Sequence, residues 1–205
     1  MRHAPLLIAS DEPAARVLCA ALGAELLAAP REESAFEAWR EHASGGEARA
    51  QVVVAAWSAD LSGCAITETS FAQWLARAEA PLVGWAFALG VASARCADGG
   101  AIVAVIERPA PLDCAGFAPE ASVADAACAL VRSLARSEGA RGVRVNAVLT
   151  SARLAPARVV APAPPLARFP GALEREVAGA VRLLLANDAS GVTGQTLAAD
   201  CGRTW

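Results

Sequence analysis

Short runs of apolar residues recur along the chain, and each is followed by a segment whose apolar positions repeat every three to four residues. Leu6-Leu7-Ile8-Ala9 is the first run, and residues 11–22 follow with helical spacing. Glu25-Leu26-Leu27-Ala28 precedes a helical pattern over 32–43. Gln51-Val52-Val53-Val54-Ala55 precedes a long helical stretch over 68–96, with a break expected near Pro81. Ala101–Ile106 precedes a helix over 119–138. Val143–Val148 precedes a helix over 172–187, and Thr196–Ala199 closes the series. Strands that are apolar on both faces and separated by helices predict an α/β domain. Its parallel sheet would lie between two helical layers, because only such a sheet is dry on both sides. The whole chain, 1–205, reads as a single domain. Ala155–Pro165, rich in proline and alanine, reads as an extended loop.

Composition narrows the function classes. Apolar residues make up 55% of the chain and the mean hydropathy is +0.38, much of it from alanine and valine. Charged residues interrupt each apolar stretch, so no membrane span is expected, and the apolar start Leu6–Ile8 is too short for a signal peptide. A cytoplasmic protein is the expectation. Net charge is −3, all 18 basic residues are arginine, and no basic stripe with interleaved aromatics appears, so nucleic acid is not an expected partner. The six cysteines (Cys19, Cys64, Cys96, Cys114, Cys128 and Cys201) are scattered, without zinc or redox spacing. They read as core thiols in a reducing compartment. His3 and His42 form no metal site or triad.

The C-terminal half carries a family resemblance. Arg132–Arg136, Gly142-Val143-Arg144-Val145-Asn146-Ala147-Val148, Glu176–Val181, Asn187–Gln195 and Leu197–Gly202 together, in this order and spacing, resemble the short-chain dehydrogenase/reductase family. The resemblance weakens toward Val53, and before that only the strand–helix rhythm matches. It implies a Rossmann-like doubly wound parallel sheet flanked by helices, normally assembled into dimers or tetramers. The distance from the first strand to Val52–Val54 is short for the family. About one βα unit is expected to be missing on the adenine side.

The same resemblance exposes losses. Family enzymes use a tyrosine as general acid/base, a lysine in the next helical turn, a serine and an asparagine. This chain has no tyrosine and no lysine. An ungapped register from Arg132 places Glu120 at the tyrosine, Ala124 at the lysine, Glu107 at the serine and Pro81 at the asparagine. The first turn reads Ile8-Ala9-Ser10-Asp11-Glu12-Pro13, without the glycines that let backbone N–H groups approach a pyrophosphate. Pro13 removes a donor, and Ser10 or Asp11 suits the N-cap of an ordinary helix. Asp11 and Glu12 would repel phosphate by about 1–4 kcal/mol per charge pair. After the third strand, Ala55-Ala56-Trp57-Ser58 stands where the family has a glycine-containing turn, and Leu149-Thr150-Ser151 stands where it has Pro-Gly. No bound NAD, no other cofactor and no metal are expected from these residues.

What remains family-like is the part that packs subunits together. Residues 81–93 are apolar nearly all round, and Val123, Ala126, Ala127, Leu130, Val131 and Leu134 make a wide arc on the next long helix. Trp85, Phe87, Ala127, Cys128, Val131, Val192, Leu197 and Trp205 are the expected interface residues. These losses resemble the inactive subunit of hetero-oligomeric dehydrogenases acting on a hydroxyacyl-CoA, such as that of anaerobic toluene degradation. The resemblance implies a chain that is not itself an enzyme and that pairs with an intact short-chain dehydrogenase, a heterotetramer being the expected form. Two alternatives compete: a repurposed enzyme using Glu107 and Glu120 as acid and base, or an acyl- or CoA-binding module in the old cleft. In the bland alternative, both carboxylates lie on loops facing water.

Overall fold

The apolar runs form strands, and their alternation sorts them into two layers. In the computed structural model, which describes residues 3–57, 63–109, 115–153 and 171–202, strand β1 (Leu6–Ala9) is buried along its whole length. Strands β2 (Glu25–Ala28), β3 (Arg49–Ala55), β4 (Cys96–Glu107), β5 (Arg144–Thr150) and β6 (Thr196–Ala198) join it in one six-stranded sheet, every pairing parallel. Successive side chains on a strand point to opposite faces. Leu6, Ile8, Val52, Val54, Ile102, Ala104, Ile106, Val145 and Ala147 therefore face one helical layer. Leu7, Ala9, Val53, Ala55, Val103, Val105 and Val148 face the other.

The first layer holds helices α2 (Phe36–Ser44), α3 (Phe71–Arg95) and α4 (Ala118–Ser137). The second holds α1 (Pro13–Leu22) and α5 (Ala178–Leu185). The strand order is β2-β1-β3-β4-β5-β6. The full doubly wound sheet has two strands beyond β1 on that side. Here only β2 lies there, so the fold is Rossmann-like and one βα unit short on the adenine side, as the sequence spacing implies.

Two local expectations are corrected. Helix α3 does not break at Pro81: a π-helical turn, Leu75–Glu79, widens the register just before it. The proline has no N–H for the carbonyl one turn back, and the wider turn absorbs that loss. Helix α1 is capped by Glu12, not by Ser10 or Asp11, and no side chain bonds its first turn. Asp11 instead pairs with Arg16 at 2.7 and 2.9 Å. By length and apolarity, α3 would also suffice to cross a membrane. Its apolar character has a local use, since Trp85, Ala88, Leu89, Val91 and Ala92 are buried against the sheet and its neighbouring helices. The Pro/Ala stretch 155–165 lies outside the described residues.

No disulfide forms among the described cysteines, and burial pushes the thiols of Cys19, Cys96 and Cys128 up, that of Cys96 to about 11. A raised thiol pKa means that the folded chain holds its proton more tightly than the unfolded chain. The associated stability is complete below the ordinary thiol value near 9 and is lost as pH rises through about 11. With no tyrosine or lysine to titrate in that window, cysteines dominate the change. Urea unfolding measured from pH 8 to 11 is expected to show a steady loss of stability above pH 9. Cys96→Ala is expected to flatten that slope even though it lowers the starting stability; an unchanged slope would contradict the assignment.

Candidate functional site

A parallel sheet covered on both faces exposes its polar opportunities at the carboxyl ends of its strands. In doubly wound sheets, ligands settle where the chain reverses its direction of winding. Here that point lies between β1 and β3. A cleft of about 530 Å³ opens beside it, lined by Ile8, Ala29, Arg31, Ala55, Trp57, Ala76, Arg77 and Gly84 among others. Such a volume suits a small ligand. Trp57 is held by a hydrogen bond from its indole N–H to the Val105 carbonyl at 3.3 Å. Phe36 lies against Gly84, where a Cβ would come within 3.2 Å of the ring, so the bare glycine makes room for it.

The start of α1 faces this crevice, and an anion would be at home there because its N–H groups have no helical partner. The protein supplies that anion itself. One oxygen of Glu12 pairs with Arg31, just after β2, at 3.0 Å, and the other lies 3.5 Å from Arg153, just after β5. Arg153 also donates to Glu107 at 3.2 Å and lies over the Trp57 ring, 5.1 Å from its centroid. The Glu12, Glu107 and Arg153 side chains are all mostly buried. A row of opposite charges thus crosses the carboxyl edge of the sheet from β2 to β5.

The four positions that the ungapped register from Arg132 assigns to the catalytic residues lie close together. Pro81, Glu107 and Glu120 line one small cavity with Arg77, Trp85 and Val123, and Ala124 is buried one turn along α4 from Glu120. The reading of Glu107 and Glu120 as carboxylates facing water is overturned, since they are 8% and 5% exposed. Arg77 grips both oxygens of Glu120, its Nε at 2.7 Å and its Nη2 at 2.8 Å, and also donates to the Gly116 carbonyl. A bidentate pair of this kind holds both side chains in one orientation. Arg31, Arg77 and Arg153 are the residues that sequence reasoning missed. The only available signal was the exclusive use of arginine, the cation best suited to paired burial.

The expected interface residues divide differently. Trp85, Ala127, Cys128 and Val131 are at most 7% exposed in the single chain and belong to its own core, so they are withdrawn as surface contacts. Their helices turn other, smaller residues outward, including Ala86, Gly90 and Ala94 on α3 and Ala129 on α4. Phe87 is half-buried, stacked on Phe36 with ring centroids 5.6 Å apart and with the Arg40 guanidinium over its ring. Val192 and Leu197 are half-buried, and Trp205 lies outside the described residues. No cluster of metal-ligating side chains occurs among the described residues.

The topology and the crevice at the β1/β3 switch point define a doubly wound α/β protein of the dinucleotide-binding architecture. The chain belongs to the Enoyl-(Acyl carrier protein) reductase family of short-chain dehydrogenases, whose sequence profile matches residues 31–204. Solved structures share the fold. A short-chain dehydrogenase/reductase from Serratia marcescens superposes with a TM-score of 0.72 at 17% identity, covering 100% of this chain and 99% of its own. BdcA, solved in complex with NADPH, gives 0.71 at 19% identity, covering 100% and 96%. An enoyl-(acyl-carrier-protein) reductase from Anaplasma phagocytophilum, solved with NAD, gives 0.66 at 19% identity, covering 99% and 94%. No curated protein matches the chain. The expectation that the chain is no enzyme is corrected by these findings: its family is one of reductases, and its structural neighbours are oxidoreductases.

The Arg77–Glu120 pair makes a stability prediction. Glu120→Gln would leave a buried guanidinium facing a neutral amide, and breaking a buried pair from one side costs about 3–5 kcal/mol. Replacing both residues, as Arg77→Met with Glu120→Leu, is expected to recover most of that loss. Denaturant midpoints of the single and double variants read the difference directly.

Proposed function

We propose that this chain works as one subunit of an oxidoreductase, assembled with a second short-chain dehydrogenase that supplies the tyrosine and lysine this sequence does not contain. The observation that carries the reading is the aligned acid/base position itself. It is Glu120, held by both oxygens on Arg77 in a buried pair. A carboxylate so engaged is poorly placed to give or take a proton from a bound carbonyl compound. Glu12 adds to this, since it stands at the helix start where a dinucleotide would place its phosphates.

The substrate class this reading favours is an acyl thioester, in keeping with the family description. NAD(P)H of the kind bound in the structural neighbours would then supply the hydride in the assembled complex. The outward small residues of α3, Ala86, Gly90 and Ala94, would let a partner helix approach closely. Exposed glycine and alanine on successive turns leave room for a backbone, and substitution there does not disturb the chain's own core.

Co-expression of the tagged chain with a dehydrogenase encoded beside it tests the reading. The two are expected to co-purify, with thioester-linked NAD(P)H turnover at least tenfold above that of the second subunit alone. Gly90→Arg, on the exposed face, is expected to abolish co-purification while leaving the chain folded by circular dichroism. Equal turnover with and without this chain would overturn the proposal.

A further inference from the structure

The cleft beside the switch point has a lining that selects by charge. Its walls are mostly small and apolar, with Ile8, Ala29, Pro30, Ala55, Ala80 and Ala88 beside the rings of Phe36 and Trp57, and Ser10 and Gln73 add uncharged polar groups. Two guanidinium groups line it, and each already faces a carboxylate. Arg31 pairs with Glu12 at 3.0 Å, and Arg77 pairs with Glu120 at 2.7 and 2.8 Å. At Arg77, held through two nitrogens, an anionic ligand would have to displace Glu120; at the half-exposed Arg31 it would meet Glu12 beside the same guanidinium. Glu12 is not itself a lining residue but stands behind Arg31 at the start of α1, mostly buried and held from a second side by Arg153. A cationic ligand would find both carboxylates taken.

We infer that the cleft is a binding site for an uncharged, ring-containing apolar molecule, and that Glu12 is the residue that excludes phosphorylated or sulfonated ligands from it. The inference stands independently of any partner subunit. It also narrows the earlier alternative of an acyl- or CoA-type ligand, because the phosphates of a CoA would meet Glu12. The aromatic lining favours a planar body, since a ring packs beside the half-buried indole of Trp57 at low entropic cost. The charge selection has a simple physical origin. Like charges a few ångströms apart in a partly dry crevice repel by several times their value in water.

A matched pair of fluorescent probes separates the two elements. N-phenyl-1-naphthylamine is neutral, and 1-anilinonaphthalene-8-sulfonate is the same ring system carrying a sulfonate. The neutral probe is expected to bind the full-length chain saturably, one per chain, and at least tenfold more tightly than the sulfonate. Ala76→Trp places a large ring in the cleft from a position exposed on α3, so folding is expected to survive, and the neutral probe should bind at least tenfold more weakly. Ala80→Phe serves as a second filling variant. Glu12→Gln releases Arg31 and is expected to bring the sulfonate to within about threefold of the neutral probe, whose own affinity stays unchanged. The site is overturned if the neutral probe does not saturate, or if folded filling variants bind it as wild type does. The role of Glu12 is overturned if wild type binds both probes equally or if Glu12→Gln leaves the sulfonate unchanged.

Discussion

Burying a parallel sheet on both faces leaves its carboxyl edge as the place where polar groups can gather, and in this protein that edge is spanned by ion pairs. Glu12 links the end of β2 to the loop after β5, Arg153 carries the link on to Glu107 at the end of β4, and Arg77 locks Glu120 at the start of α4. These groups are mostly buried, so their Coulomb attraction is screened far less than that of a surface pair. They also carry a desolvation cost that only good geometry offsets. The bidentate Arg77–Glu120 contact meets that condition, and it tethers α3, which borders the cleft, to α4, which borders the small cavity beside it.

The architecture of the reductase family and the chemistry of its edge are thus separable. The packing rules that build the sheet act on β-branched and small apolar residues, and these are intact here: Val52, Val53, Val54, Ile102, Val103, Val105, Val145 and Val148 are all fully buried. Nothing in that packing requires a tyrosine, a lysine or a glycine-rich first turn. Glycine is needed after β1 only when a ligand's phosphate must approach the backbone. Where a side-chain carboxylate takes the same place, Ser10, Asp11 and Glu12 are tolerated. The loss of one βα unit acts on the same region, because it leaves β2 at the sheet edge with half-exposed residues. The cleft is then bounded by α2 and α3 as well as by the strand ends.

Much of the fold was legible in the sequence. All six strands were placed with their cores correct: the four central ones because a strand buried on both faces writes itself as an unbroken apolar run, and the edge strands β2 and β6 from their place in the strand–helix rhythm. The ungapped register from Arg132 also brought Pro81, Glu107 and Glu120 to one small cavity. Helix ends and internal register were less legible. Glu12 caps α1 without a side-chain bond, and the π turn at Leu75–Glu79 answers a proline six residues beyond its first residue. Surface and core could not be told apart on α3 and α4. Trp85 and Val131 belong to apolar arcs wide enough for two contacts, and only the packing shows which arc meets the sheet.

The order of strands and helices, the family and the absence of a tyrosine–lysine pair follow from the sequence alone, because periodicity and residue identity are local properties of a chain. The placement of the charges does not. Arg31 meets Glu12 across 19 residues, Arg77 meets Glu120 across 43, and Arg153 meets Glu107 across 46. No pattern in a one-dimensional string announces such meetings. They exist because parallel strands bring their carboxyl ends to one edge, where the mostly buried Glu12, Glu107, Glu120, Arg77 and Arg153 must find partners.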